Sequence, residues 1–351
     1  MSLADIQSFS ADIAADGAGT RLTAASVTFG ANSSNTVNAL MVTAGAAVAF
    51  TGLALNSSTN TSTVVTVDGA GSTLTVSGGL GSVGTLSISS GGAVSVGSLS
   101  GGSSLPVTLD DGSLTFTASG SADNPFALSS GGGTFGVGSN TVTLSGVLSG
   151  SGGLTKTGTG TLTLSGANTY DGTTTVAAGT LLINGSLTSG ATVAPGGTLG
   201  GSGTIGGAVA VQSGGTLAPG SSPGTLTIAS LLMNPGSFLA VELGSPSSDR
   251  LVVSGSAVLD GTLSVSLDNG FTPAAGQGFD ILDWGGLSGT FSTISLPDIS
   301  GSGLAWDTSQ LYSEGVLAVS PVPEPAAATA LTLASAGALL VLRRRRFGRP
   351  R

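Results

Sequence analysis

Acids, bases and nucleophiles are scarce in this sequence, and it has no His and no Cys in 351 residues. Without Cys there are no disulfides, no thiol catalysis and no iron–sulfur ligation. Without His the commonest general base and metal ligand is missing. The closest acidic pairs are Asp110–Asp111 and Asp280 with Asp283. A hydrolytic site would need such carboxylates clustered, or joined by Lys or Arg. "DDG" reads instead as a turn. In "FDILDW" the two acids are three apart, which puts them on opposite faces of a strand. Arg250 follows Asp249 and is expected to be exposed and isolated. Single Asp-Gly steps at Asp68, Asp171 and Asp260 read as turns, and no "GGxGxD" nonapeptide or EF-hand loop occurs. "GSGGLTKTG" lacks the Gly-Lys-Ser/Thr ending of a phosphate loop. The expectation is no catalytic residue, no cofactor, no metal and no enzyme activity.

Composition describes the elements that would have to hold such residues. Gly accounts for 60 of 351 positions, Pro for 13, and charged residues are only 8 %. With an apolar fraction of 40 %, the chain is too hydrophobic and too weakly charged for a disordered class. Gly without a three-residue period excludes collagen. Ser, Thr, Val and Leu with abundant Gly favour strands and tight turns. Residues 1–320 hold three bases, Arg21, Lys156 and Arg250, against seventeen acids, a net charge of −14. Such a body repels phosphate backbones, so no nucleic-acid partner is expected.

Gly-Thr-Leu recurs at Gly160, Gly179, Gly197 and Gly215, with spacings of 19, 18 and 18 residues. Short apolar pieces lie between these anchors, each bounded by Gly, Ser, Asn or Pro. Several short strands per period fit one rung of a parallel β-solenoid, whose rungs bury their apolar face only by stacking. With 4 % aromatics, the interior is expected to be narrow and aliphatic. "STLTVSGG", "GTLSISSGGAVSVGSLSGG" and "GSLTFTASG" alternate apolar with Ser or Thr and read as degenerate rungs. Residues 1–231 are therefore read as a parallel β-helix. Residues 232–320 carry longer strands and most of the large aromatics. They are read as a β-rich cap of antiparallel strands or a small β domain.

"SPVPEP" then breaks any strand. Residues 326–342 are uncharged and rich in Ala and Leu, and as a helix would span about 25 Å, within the range for a single transmembrane helix. Arg343, Arg344, Arg345 and Arg346 close it, and such a cluster sets the cytoplasmic side. "MSLADIQSFSADIAADG" has neither a basic nor an apolar leader segment, so the natural start is expected upstream.

Two passages carry family resemblances. "GSGGLTKTGTGTLTLSGANTYDGTTTVAAGTLLINGSL", residues 150–187, resembles the autotransporter-associated β-strand repeat, also called the passenger-associated transport repeat. That resemblance implies a right-handed parallel β-helix on an exported, surface-exposed chain. As part of the repeat motif, Lys156 is expected at the surface or a corner. About 90 residues separate the repeats from the tail, too few for an outer-membrane barrel, so self-transport is not expected. Residues 321–351 resemble the PEP-CTERM sorting signal, through Val322, Pro323, Glu324 and Pro325, the apolar stretch and the Arg cluster. This implies routing to an exosortase-type enzyme, which cuts near Pro-Glu-Pro, and a transient stay in the cytoplasmic membrane.

Together these readings describe an exported bacterial surface or matrix protein, structural or adhesive. Exopolysaccharide or other surface proteins would be its partners. The alternatives are a β-helix enzyme that degrades polysaccharide and a carbohydrate-binding surface protein.

Overall fold

Alternating apolar and small polar residues produce strands throughout the computed structural model. It describes residues 6–9, 13–29, 38–55, 63–82, 84–220, 223–268 and 270–322. Among these residues the only helical pieces are two 3-10 turns, Gly102–Ser104 and Ser300–Ser302. The strands stack into a β-solenoid. A 16-stranded sheet runs its whole length. A seven-stranded sheet, from Ile13–Asp16 to Leu148–Ser149, covers the first part. A nine-stranded sheet, from Gly120–Ala122 to Thr293–Ser295, covers the second. Strands within these sheets pair in parallel.

The Gly-Thr-Leu anchors stack in register. Leu162, Leu181, Leu199, Leu217, Leu239 and Leu263 lie opposite one another on successive strands. All six are fully buried. The preceding Thr161, Thr180, Thr198 and Thr216 form the neighbouring ladder, less deeply buried. Spacings of 18 and 19 residues are thus rung lengths. A second inner column, on the long sheet, runs Leu114, Phe135, Lys156, Val176, Val193, Val211, Met233. The buried apolar residues form one core cluster, mostly aliphatic, with Phe126 and Phe135 packed edge to face at 5.3 Å.

In the middle of the rod each rung has three short sides, such as Leu148–Ser149, Leu154–Thr157 and Thr161–Leu164. Toward the C-terminus two sides fuse into one bent strand. The bends stack as register shifts at Ile205/Ala208, Ile228/Leu231 and Val253/Ser256. The N-terminal rungs bend alike at Phe50/Leu53 and Val76/Gly79. The degenerate rungs expected there are parallel solenoid rungs.

The boundary expected at 231/232 falls inside the strand Thr225–Met233. Parallel pairing continues to Leu282–Gly289 and Thr293–Ser295. Among the described residues, antiparallel pairing is found in a three-stranded sheet of Gly278–Asp280, Val316–Pro321 and Leu304–Asp307 and in one isolated bridge between Gly201 and Gly220. Aromatic rings gather beside it, Phe279 lying 5.8 Å from Phe271 and 6.0 Å from Trp306. Among the described residues no helix is long and apolar enough to cross a membrane. The expected helix 326–342 lies outside them.

Candidate functional site

Two of the three bases in residues 1–320, Lys156 and Arg250, mark two places of interest. The first is inside the rod. Lys156 was expected at the surface or a corner, yet it is fully buried. The strand Leu154–Thr157 alternates, and Lys156 shares the inward phase of Leu154. It therefore stands in the core column between Phe135 and Val176. Its Nζ donates to the carbonyls of Gly158 and Gly160, each at 2.7 Å, and of Ala178 at 2.9 Å. Burial holds its pKa down to about 8 from the ordinary 10.5. Gly179 is left-handed at φ +62°, and a Cβ there would sit 2.7 Å from Nζ. Only glycine fits, which explains the first residue of this Gly-Thr-Leu.

Two more buried polar groups brace the same rungs. Asn168 Nδ2 donates to the carbonyls of Gly166 at 3.0 Å and Ser186 at 3.1 Å, while its Oδ1 accepts the Leu148 N–H at 3.1 Å. One side chain thereby joins three successive corners. The Tyr170 hydroxyl meets Thr174 Oγ1 at 2.6 Å, both residues being fully buried. Burial pushes the Tyr170 phenol above its ordinary pKa.

The second place is the C-terminal end of the solenoid. Arg250 was expected to be exposed and isolated. Its side chain is 38 % exposed and pairs with both Asp280, at 2.8 Å, and Asp283. Asp280 and Asp283 were expected on opposite faces. They converge because the strand Gly278–Asp280 ends before the strand Leu282–Gly289 begins, so one alternation does not span both. Arg250 therefore ties the long sheet to the antiparallel sheet. Burial raises the Asp280 pKa, Arg250 lowers it and Asp283 raises it. Asp249, nearly buried, accepts the N–H groups of Gly224 and Glu242, both at 3.0 Å. Its pKa is raised, chiefly by burial. A Cβ at Gly220, left-handed at φ +90°, would collide with this carboxylate.

The remaining expected positions are simply placed. Asp111 sits in the left-handed region at φ 60°, as a tight turn between Val107–Asp110 and Gly112–Phe116 requires. Among the described residues, no three or more His, Cys, Asp or Glu could jointly hold a metal ion. Val322 leaves the last strand exposed, its N–H donating to the Gly303 carbonyl at 2.9 Å. Pro323, Glu324, Pro325 and Arg343 to Arg346 lie outside the described residues.

Comparison with known proteins adds a family match and a likeness to solved structures. Residues 154–183 match the family described as Passenger-associated-transport-repeat. That stretch contains Lys156, Thr163, Asn168 and Thr174, four of the nine buried polar or charged residues among the described ones. The matched motif therefore covers the interior wiring of the rungs as well as their strands. No curated protein matches the chain. Among solved structures, a TibC-catalyzed hyper-glycosylated TibA fragment is similar at 16 % identity, covering 84 % of this chain and 97 % of that one, with a TM-score of 0.25.

Proposed function

We propose that this chain is an exported surface rod, structural or adhesive, of the kind built from passenger repeats. The observation that carries this reading is the family match at residues 154–183, which falls on three-sided rungs in mid-solenoid. Outward ladders such as Thr134, Thr155, Thr175 and Thr192 give those rungs an uncharged hydroxyl surface. Length and surface would then do the work, with exopolysaccharide or other surface proteins as partners.

The tail extends this reading. Val322, Pro323, Glu324 and Pro325 form the sorting motif, and an exosortase-type enzyme cuts near it. The stretch 326–342 holds the unprocessed chain in the cytoplasmic membrane, and Arg343, Arg344, Arg345 and Arg346 keep its end on the cytoplasmic side. The exposed position of Val322 supports this, because the first residue of the motif is accessible at the surface.

A polysaccharide-degrading enzyme is the rival reading, favoured by the convergence of Asp280 and Asp283. Against it stands Arg250, which already pairs with both carboxylates. The test of the surface reading is protease treatment of intact cells making the full-length protein. Loss of the rod while a cytoplasmic marker survives is the expected result. A rod protected until the cells are lysed contradicts it.

A further inference from the structure

Where Arg250–Leu259 meets the antiparallel sheet, a cleft of about 370 Å³ opens beside the Arg250–Asp280 pair. Pockets of this size accommodate small ligands. Ser245, Pro246 and Ser247 form an exposed rim, and Gln277 and Phe279 line the cleft as well. We propose that this cleft binds a neutral glycan. The proposal deepens the surface-rod reading, and rests on it only for the biological setting.

Charge narrows the ligand class. Arg250 and Asp280 are the charged residues that line the cleft, and Arg250 is already paired with Asp280 and Asp283, so phosphates, sulfates and uronates find no free cation there. The Arg250 guanidinium between those two carboxylates repels a bare metal cation. A neutral polyhydroxyl compound matches what remains. The ion pair presents donors and acceptors side by side in fixed geometry. Ser247 adds a hydroxyl, and Pro246 offers an apolar ring to the C–H face of a sugar. The cleft is also braced before any ligand arrives. Phe279 is held by Phe271 and Trp306, with ring centroids at 5.8 and 6.0 Å. Gln277 Oε1 accepts the Ala274 N–H at 2.7 Å. Such bracing lowers the ordering cost of binding.

The test is calorimetric titration of the full chain, in a non-glycosidic detergent, with gluco- and manno-hexaoses, a hexauronate and calcium chloride. Ser247→Trp, which fills the cleft from its exposed rim, is compared at an unchanged melting temperature. The expected result is binding of a neutral hexaose, weakened by about tenfold or more in Ser247→Trp, a factor equal to about 1.4 kcal/mol. No hexaose binding at millimolar concentration, equal binding by Ser247→Trp, or equal or tighter binding of the hexauronate or calcium overturns the proposal. The two readings fail separately. A hexaose-binding chain found only inside cells sinks the surface reading and leaves the cleft. A surface-exposed chain that binds no hexaose does the reverse.

Discussion

Lys156 Nζ and the Ala178 carbonyl oxygen, 22 positions apart in the chain, lie 2.9 Å apart inside the solenoid. Because the same ammonium also holds Gly158 and Gly160, the corner of one rung is fastened to the corner of the next. The strands around it, Gly133–Gly136, Thr161–Leu164, Thr174–Val176 and Gly179–Ile183, contain no acid and no other base. Carbonyl dipoles alone compensate the charge.

Removing that ammonium takes a donor from the carbonyls of Gly158, Gly160 and Ala178, of which Gly160 keeps the Thr180 N–H. Each buried acceptor left without a partner costs about 1–3 kcal/mol. Lys156→Met, which keeps the aliphatic stem, should lower unfolding free energy by about 2–4 kcal/mol. Lys156→Ala should lower it further, because a cavity is added. Urea unfolding of both variants checks the order. A Lys156→Met protein as stable as the parent contradicts it.

Alkaline pH tests the same group. Below pH 8 folded and unfolded chains both carry the Lys156 proton, so the group adds no pH dependence. Between about 8 and 10.5 the unfolded chain holds the proton and the folded chain has lost it, so stability rises with pH. Above 10.0 the Tyr170 phenol, raised by burial, keeps its proton while the unfolded chain loses it, and stability falls. Lys156 is the only lysine, and there is no His or Cys to titrate alongside it. Stability measured against pH should climb from 8 toward 10 and then drop. Lys156→Met should abolish the climb and Tyr170→Phe the drop.

Tyr170→Phe has a further effect at neutral pH. It leaves the buried Thr174 hydroxyl without its 2.6 Å partner, at a cost of about 1–2 kcal/mol. Tyr170→Phe combined with Thr174→Val removes both polar atoms and should recover part of that loss. Thermal unfolding of the pair decides it, and a double variant weaker than the sum of its singles counts against the bond.

Asn168→Asp replaces two donors with an acceptor aimed at the carbonyls of Gly166 and Ser186. A loss of about 3–5 kcal/mol is expected at pH 7, larger than for Asn168→Ala. Protonating the new carboxyl restores a donor, so the gap between the two variants should close near pH 4. A gap independent of pH argues against this wiring.

The rod was readable from the sequence because stacking preserves register. Each Gly-Thr-Leu meets the next on an adjacent strand, so rung length appears directly as residue spacing. The burial of Lys156 was equally present in "LTKT", since Leu154 and Lys156 share a phase, but a lysine on an inner face runs against its usual solvation. Arg250 was different. Its partners lie 30 and 33 residues away, across a change from parallel to antiparallel pairing. Strand alternation carries no information across that junction at Ile281, whose N–H turns to the Gly315 carbonyl at 3.0 Å.

The central claim is an exported rod released from its tail, and the intact mass of the protein recovered from the cell exterior tests it most directly. The account predicts a chain that ends near Pro323–Pro325 and lacks the apolar stretch and Arg343 to Arg346. An exterior protein whose mass includes the tail to Arg351 contradicts it.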